Sequence, residues 1–266
     1  MDLGMTGKVA LVTGGSRGIG KAIVRALAED GCQVAIIARD EATCRATAAE
    51  IASATGQRVE AYLADTGDGA AVTATVAAVG AAFGRVDILV NSAAQPAGQS
   101  ATPKLGEIGY DDFFAEMNVK VMGYLRVIQA VLPFMRGTAF GRIINISGLA
   151  ARQTGSIIGS MRNISVAAMT KNIAEELAGT GITANCVHPG LTYTEKSENV
   201  FEWRARASGQ TTEQIREHLS RWSLAHRIIT SEEVASLVAF LASPRSSAVN
   251  GESIGAGGGA PGVIHY

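Results

Sequence analysis

Short β-branched runs bounded by Gly or Asn alternate with Ala-rich stretches of helical period along the whole chain. The runs at 8–13, 33–38, 59–63, 86–90, 142–147 and 183–188 predict strands, with a last one near 252–255. Between them, helices are predicted over 19–29, 41–55, 69–83, 111–132 and 157–178. A final helix starts at Ser231, read as its N-cap with Glu232 and Glu233 in the first turn, and runs to about 242. Pro133 is expected to end the long helix. Near-continuous apolar strands separated by helices are the pattern of a parallel sheet covered on both faces. The expected fold class is therefore α/β, a doubly wound, mostly parallel seven-stranded sheet in a single domain over 1–266. The rhythm breaks once. Residues 195–223 are polar, carry both tryptophans (Trp203 and Trp222) and show no strand pattern, which predicts a helical insertion covering a site.

Composition narrows the function classes. With 266 residues, 47% of them hydrophobic and 18% charged, the chain can bury a core, so disorder is excluded. Twenty-three basic residues against 24 acidic ones, with no long basic run, leave nothing to neutralise a phosphate backbone, and no nucleic-acid partner is expected. The apolar stretches at 34–38 and 88–90 are far too short to span a membrane, and the N-terminus runs straight into a strand pattern. A soluble protein without a membrane partner is expected. Cys32, Cys44 and Cys186 are widely spaced, odd in number and lack C-x-x-C spacing, which points to a reducing cytoplasm and no metal site.

The first strand runs into Gly14-Gly15-Ser16-Arg17-Gly18-Ile19-Gly20 and then a helix. Glycine lets such a turn close tightly and lets backbone approach a ligand, while the helix N-terminus offers free N–H groups and a positive dipole to a pyrophosphate. The spacing T-G-x-x-x-G-I-G resembles that of the short-chain dehydrogenase/reductase family, and further matches follow in order. Asp65 in "LADT", "NSAA" at Asn91–Ala94, Asn118 in "FFAEMNVKVMG", "VHPGLTYT" at Val187–Thr194, "SEEVASLVAFLAS" and "NGESIGAGGG" extend the resemblance over almost the entire chain. It implies a Rossmann-like domain binding a nicotinamide dinucleotide. It also implies which residues hold it: Gly14, Ser16, Arg17, Gly18, Ile19 and Gly20, then Arg39, Asp65, Thr66, Asn91, Ala93 and Asn163, and finally Pro189, Gly190, Thr192 and Thr194. The family commonly pairs the helices at 111–132 and 157–178 between subunits. Both carry more apolar positions than one buried face requires, so a homotetramer is expected.

Charge argues which dinucleotide. An acidic residue closing the second strand would hold a ribose 2′-OH and repel a 2′-phosphate, whereas arginine pairs with the phosphate. Here the strand closes on Ala38-Arg39, with Arg17 in the glycine turn and Asp40 next in sequence, so NADP(H) is expected over NAD(H).

The family performs its proton transfer with a serine and a Tyr-x-x-x-Lys pair, the lysine lowering the pKa of the phenol. This sequence departs from that pattern. Anchoring on "GRIINIS" puts the family serine at Gly148, with Ser147 just before it. Anchoring on "VAAMTK" and "GITANCVHPG" puts Gly159 at the tyrosine and Asn163 at the lysine, while the other register gives Met161 and Ser165. Tyrosines stand only at 62, 110, 124, 193 and 266, and none has lysine four positions later. Ser147 and Asn118 remain as candidate catalytic residues. His188, Tyr193, Arg152 and Arg162 are the further polar candidates near the lost pair. Two functions compete. One is an oxidoreductase acting on a small carbonyl or alcohol by a non-standard proton relay. The other is a catalytically inactive NADP(H)-binding scaffold, sensor or partner subunit. A lyase or isomerase has no residue signature here.

Overall fold

A computed structural model describes residues 2–94, 102–136 and 139–261. Seven strands form one sheet in the order β3-β2-β1-β4-β5-β6-β9, and every neighbouring pair is parallel. They are β1 Val9–Thr13, β2 Gln33–Ala38, β3 Val59–Leu63, β4 Ile88–Asn91, β5 Gly141–Ile146, β6 Ile182–Pro189 and β9 Ser253–Ala256. Alternate residues of the same strand feed two separate cores. Ala10, Val12, Val34, Ile36, Ile88 and Val90 pack against α1 (Gly18–Glu29), α2 (Glu41–Thr55) and α9 (Ser231–Ala242). Leu11, Ala35, Ile37 and Leu89 face the other way, onto α3 (Gly69–Phe83), α5 (Gly123–Met135) and α6 (Ile157–Glu176). This period-two division of buried side chains is why the strands read as continuous apolar runs. The fold is the expected Rossmann-like α/β domain.

The order in which strands are added reverses at β1, which lies between β2 and β4, so the crevice beyond the carboxyl ends of these strands is the topological switch point where ligands of open α/β sheets bind. Thr13 Oγ1 closes the floor of that crevice by accepting the Ser92 and Ala93 amide N–H groups at 3.1 and 3.3 Å.

Two boundaries differ from expectation. The long helix does not stop before Pro133: α4 (Tyr110–Met117) continues through a π-turn at Asn118–Met122 into α5, which contains Pro133 and ends at Met135. Close to a C-terminus the proline forfeits a single helical hydrogen bond, and the Arg136 N–H to Leu132 C=O bond closes the last turn. Likewise Ser231 is not the cap of α9. Thr230 accepts the Glu233 N–H while Glu233 accepts the Thr230 N–H, a reciprocal capping box whose T-x-x-E spacing lies one residue earlier. Over 195–223 the chain forms α7 (Ser197–Ser208) and α8 (Thr212–Ser220), packed on Phe201, Ala205, Ile215 and Leu219. The short parallel strands β7 (Thr192–Tyr193) and β8 (Ile229–Thr230) tie off this unit. Among the described residues, no helix is long and apolar enough to cross a membrane. No group of His, Cys, Asp and Glu there has the arrangement of a metal site, and the three cysteines are buried thiols.

Candidate active site

The switch-point crevice is a cleft of about 570 Å³. Its near wall is the glycine turn. Gly14 has φ +67°, and a Cβ there would lie 2.9 Å from the backbone of Ser92 and Ala93, while one on Gly20 would lie 2.2 Å from the Gly14 carbonyl oxygen. Only glycine allows that approach. The N-terminus of α1 opens into the cleft, and its N-cap residue Arg17 makes no side-chain cap hydrogen bond. An anion takes that place: the Glu195 carboxylate accepts the Gly18 N–H at 3.0 Å. A cradle that a Cβ would fill, facing an N-terminus that already draws a carboxylate, fits the pyrophosphate of a dinucleotide.

Arg17 and Arg39 line one end of the cleft, both half-exposed. Arg17 donates to Thr43 Oγ1 at 2.8 Å and lies 3.5 Å from Asp40, and Arg39 lies 3.7 Å from Asp65. Neither carboxylate is idle. Asp40 caps α2 by accepting the Thr43 N–H at 2.9 Å, and Asp65 accepts the Gly67 N–H at 2.8 Å.

The other end of the cleft is built where β5 stops. Ser147 is buried there and its hydroxyl donates to the Asn163 carbonyl at 2.9 Å. Beside it sits a residue that the sequence reading passed over. Lys120, in the π-turn, is 4% exposed, lines the cleft, and donates to the Ser147 carbonyl and to Asn163 Oδ1, each at 2.9 Å. Burial pulls this ammonium down from the usual lysine value to about 8. Tyr124 also reaches the cleft, but its hydroxyl donates to the Ile146 carbonyl at 3.0 Å and burial holds the phenol well above its ordinary range. Burial likewise pushes the neighbouring Cys186 thiol up to about 11.

The chain is similar to known proteins over almost its whole length. A family model described as "Enoyl-(Acyl carrier protein) reductase" matches residues 14–260. The short-chain reductase protein NovJ of Streptomyces niveus is 35% identical over 254 residues, covering 95% of this chain and 94% of NovJ. The protein belongs to the short-chain dehydrogenase/reductase family. The 3-oxoacyl-[acyl-carrier-protein] reductase FabG of Vibrio cholerae is 33% identical over 275 residues, 97% of this chain and 98% of the relative. Among solved structures, L-sorbose reductase from Gluconobacter frateurii complexed with NADPH and L-sorbose superposes with a TM-score of 0.93 at 26% identity, over 99% of this chain and 100% of that one. NAD+-bound xylitol dehydrogenase superposes with a TM-score of 0.87 at 27% identity, over 96% and 99%. The protein is thus an oxidoreductase of the short-chain type.

Within that family frame, most of the expected positions converge. Gly14, Ser16, Arg17, Gly18, Ile19, Gly20, Arg39, Thr66, Ala93, Ser147, Pro189, Gly190, Thr192 and Thr194 all line the cleft. Others stand behind its wall. Asn91 is buried in β4 and donates to Asn145 Oδ1 at 3.0 Å, and Asp65 braces the Gly67 turn. Asn163 is buried and supports Lys120 and Ser147. Asn118 does not turn toward the cleft: its Nδ2 donates to the Gly67 carbonyl at 3.2 Å and its Oδ1 accepts from Arg126 at 2.7 Å, joining the π-turn to the loop after β3.

In the register that sets Gly159 against the family tyrosine, Gly159 lies in the first turn of α6, where its N–H is capped by Ser156 Oγ at 3.0 Å. In the other register Met161 is exposed and Ser165 bonds back to the Met161 carbonyl at 2.7 Å. The remaining polar candidates are engaged elsewhere. His188 Nδ1 is 3.1 Å from the Gly148 carbonyl, Arg152 donates to the Ser253 carbonyl at 2.8 Å, and Arg162 pairs with Glu116. The Tyr193 hydroxyl donates to Glu198 at 2.7 Å. Tyr62 donates to Glu60 at 2.8 Å on β3, and Tyr110 is exposed at the start of α4. Tyr266 lies outside the described residues.

Proposed function

We propose that the protein is an NADP(H)-dependent oxidoreductase interconverting a small carbonyl compound and its alcohol, with a proton relay that does not use a Tyr-x-x-x-Lys pair. The observation that carries this reading is one cleft holding both ends of the task. The glycine turn and the arginines Arg17 and Arg39 form an anion-binding end, and a buried polar cluster around Ser147 lies at the other. The glycine turn would hold the pyrophosphate. Arg17 and Arg39 would meet a 2′-phosphate, since Asp40 is committed as a helix cap. Thr66 and Ala93 would flank the adenosine half, and Pro189, Gly190, Thr192 and Thr194 the nicotinamide half. A bound NADP(H) supplies or accepts hydride. Relatives include both an NADPH-complexed reductase and an NAD+-bound dehydrogenase, and the paired arginines favour the phosphorylated cofactor.

The competing reading, a catalytically silent NADP(H)-binding subunit, is favoured by the Ser147 hydroxyl being spent on the Asn163 carbonyl. NADPH fluorescence titration, with NADH as control, tests binding. Hydride transfer to acetoacetyl-N-acetylcysteamine and to L-sorbose then tests catalysis. NADPH binding tighter than NADH binding, with turnover of either compound, is expected. Binding without turnover across a wider aldehyde and ketone panel would select the silent subunit.

The insertion carrying α7 and α8, whose Val200, Phe201 and Arg204 face the cleft, would cover the substrate. We also infer a homo-oligomer, supported by Tyr110, Phe114 and Met122 on the long helix and Ile157, Met161 and Ile164 on α6, all large apolar side chains left exposed. The reducing cytoplasm fits three buried free thiols.

A further inference from the structure

We propose that Lys120 is the proton donor of the cleft: its ammonium gives a proton to the oxygen of a bound carbonyl compound as hydride reaches the carbon, and its amine removes that proton from the alcohol in the reverse direction. This rests on the reading of the cleft as an NADP(H) carbonyl–alcohol site.

A buried lysine normally faces a carboxylate, because removing an ammonium from water costs several kcal/mol without one. Lys120 has no carboxylate partner among the described residues and is held only by two neutral acceptors, the Ser147 carbonyl and Asn163 Oδ1. An ammonium carries three donors, so these two bonds leave one N–H for the cleft that Lys120 lines. A purely structural link between the end of β5 and α6 would be served by a neutral amide without the desolvation. The groups on this wall that could compete for the role are already committed: the Tyr124 hydroxyl donates to Ile146 and the Ser147 hydroxyl to Asn163.

The chemistry balances. In reduction the hydride's electron pair forms the new C–H bond, the C=O π pair moves onto oxygen, and that oxygen takes the Nζ proton. The products are the alcohol, the oxidised nicotinamide and a neutral amine, which regains its proton from water. The titratable and charged groups around Lys120 set its proton affinity. Cys186 on β6 and Tyr124 on α5 are both held neutral by burial. On the α4 and α6 side Arg162 and Glu116 compensate one another as an ion pair, and His188 on β6 rests against the Gly148 carbonyl. Desolvation therefore dominates, and a lysine brought to about 8 is matched to general acid–base work near neutral pH.

The test uses the full chain, NADPH and acetoacetyl-N-acetylcysteamine, with Lys120→Met and Lys120→Arg. NADPH affinity should stay within about threefold of the unmodified protein in both variants, while reduction falls by about 10²–10⁴-fold. Arginine keeps the charge but does not release its proton, so equal losses in the two variants identify proton transfer rather than charge. The unmodified kcat/KM for reduction should fall above a pH of about 8, and that for alcohol oxidation should rise there. A readout independent of turnover is the NADP+ to NADPH affinity ratio, measured by competition. A protonated Lys120 repels the cationic oxidised ring, so the ratio should move by about fivefold toward NADP+ between roughly pH 7 and pH 9.5, and stay flat in Lys120→Met. Failure of the unmodified protein to bind NADPH overturns the reading of the cleft and this proposal with it. Binding and turnover that survive Lys120→Met, or an affinity ratio without pH dependence in the unmodified protein, overturn the proposal alone. Should Lys120→Met not fold, Lys120→Arg and the unmodified protein's ratio decide.

Discussion

Both oxygens of the Glu195 carboxylate lie within hydrogen-bonding distance of the Gly18 amide nitrogen, Oε1 at 3.0 Å and Oε2 at 3.2 Å. A side chain from the segment after β7 therefore occupies the place where the α1 N-terminus is most attractive to an anion. Any pyrophosphate docking there must first displace a group of the same sign. Glu195→Gln should bind NADPH about tenfold more tightly by fluorescence titration, with the gain shrinking at high salt. An unchanged affinity would show that the carboxylate swings away at no cost.

Cofactor choice turns on a few charges. Arg39→Asp would add a third carboxylate beside Asp40 and Asp65 and remove one of the two guanidinium groups. NADPH affinity should drop by about 10–100-fold, the scale of a charge-assisted hydrogen bond, while NADH affinity holds or improves. Equal affinities of the unmodified protein for the two cofactors would refute the assignment.

Lys120 also leaves a mark on stability. Its folded value of about 8 lies below the usual 10.5, so between those values the unfolded chain binds more protons and this group's contribution to stability rises with pH. Below a pH of about 8 both states are protonated and the full penalty applies. In Lys120→Met the penalty is gone, so the stability difference, variant minus unmodified, should fall by about 3 kcal/mol from neutral pH to about pH 10.5. Chemical denaturation at the two pH values reads this directly, because other titrating groups cancel in the difference. A constant difference would place the ammonium in contact with water.

A lysine introduced at 163 alone should be poorly tolerated. Asn163→Lys would bring a second ammonium against Lys120 and remove the acceptor that holds it at 2.9 Å. The expected outcome is a loss of about 3–5 kcal/mol of stability, as for a buried charge deprived of its partner, and recovery when Lys120→Met is added. Additive losses in the double variant would contradict the contact.

The exposed apolar faces of the long helix and α6 give an assembly test. Phe114→Glu together with Ile164→Glu should leave the fold intact and shift sedimentation from oligomer to monomer at micromolar concentration. If the unmodified protein already sediments as a monomer, the proposed assembly is absent.

The sheet and the glycine turn were readable because their signals are local. Strands such as Val9–Thr13 are apolar on both faces, and a Gly14–Gly20 cluster between strand and helix has few other uses. Lys120 was missed although the pattern held a sign of it. It sits four residues before Tyr124 and eight before Ile128, on the stripe that continues to Val131 and Met135, so a charge lies in a buried face. What hid it was sequence distance. Ser147 and Asn163, which give the amine its partners, come from another strand and another helix, and no spacing along the chain announces their meeting. Asn118 is a different case: its position follows the resemblance, and what the sequence does not announce is that Arg126, eight residues on, binds its side chain and carbonyl.

The widened turn at Asn118–Met122 has a bearing on engineering. An α-helix advances about 100° per residue, so one additional residue in a turn rotates everything on its far side by about that angle. The amine's direction is thus written into backbone phase as much as into residue identity. Grafting a lysine into a relative whose helix lacks the extra residue would present it to a different face. Deleting Val121 here would re-aim Lys120 and Tyr124 relative to one another without changing either, so transplanting this chemistry means moving the whole segment.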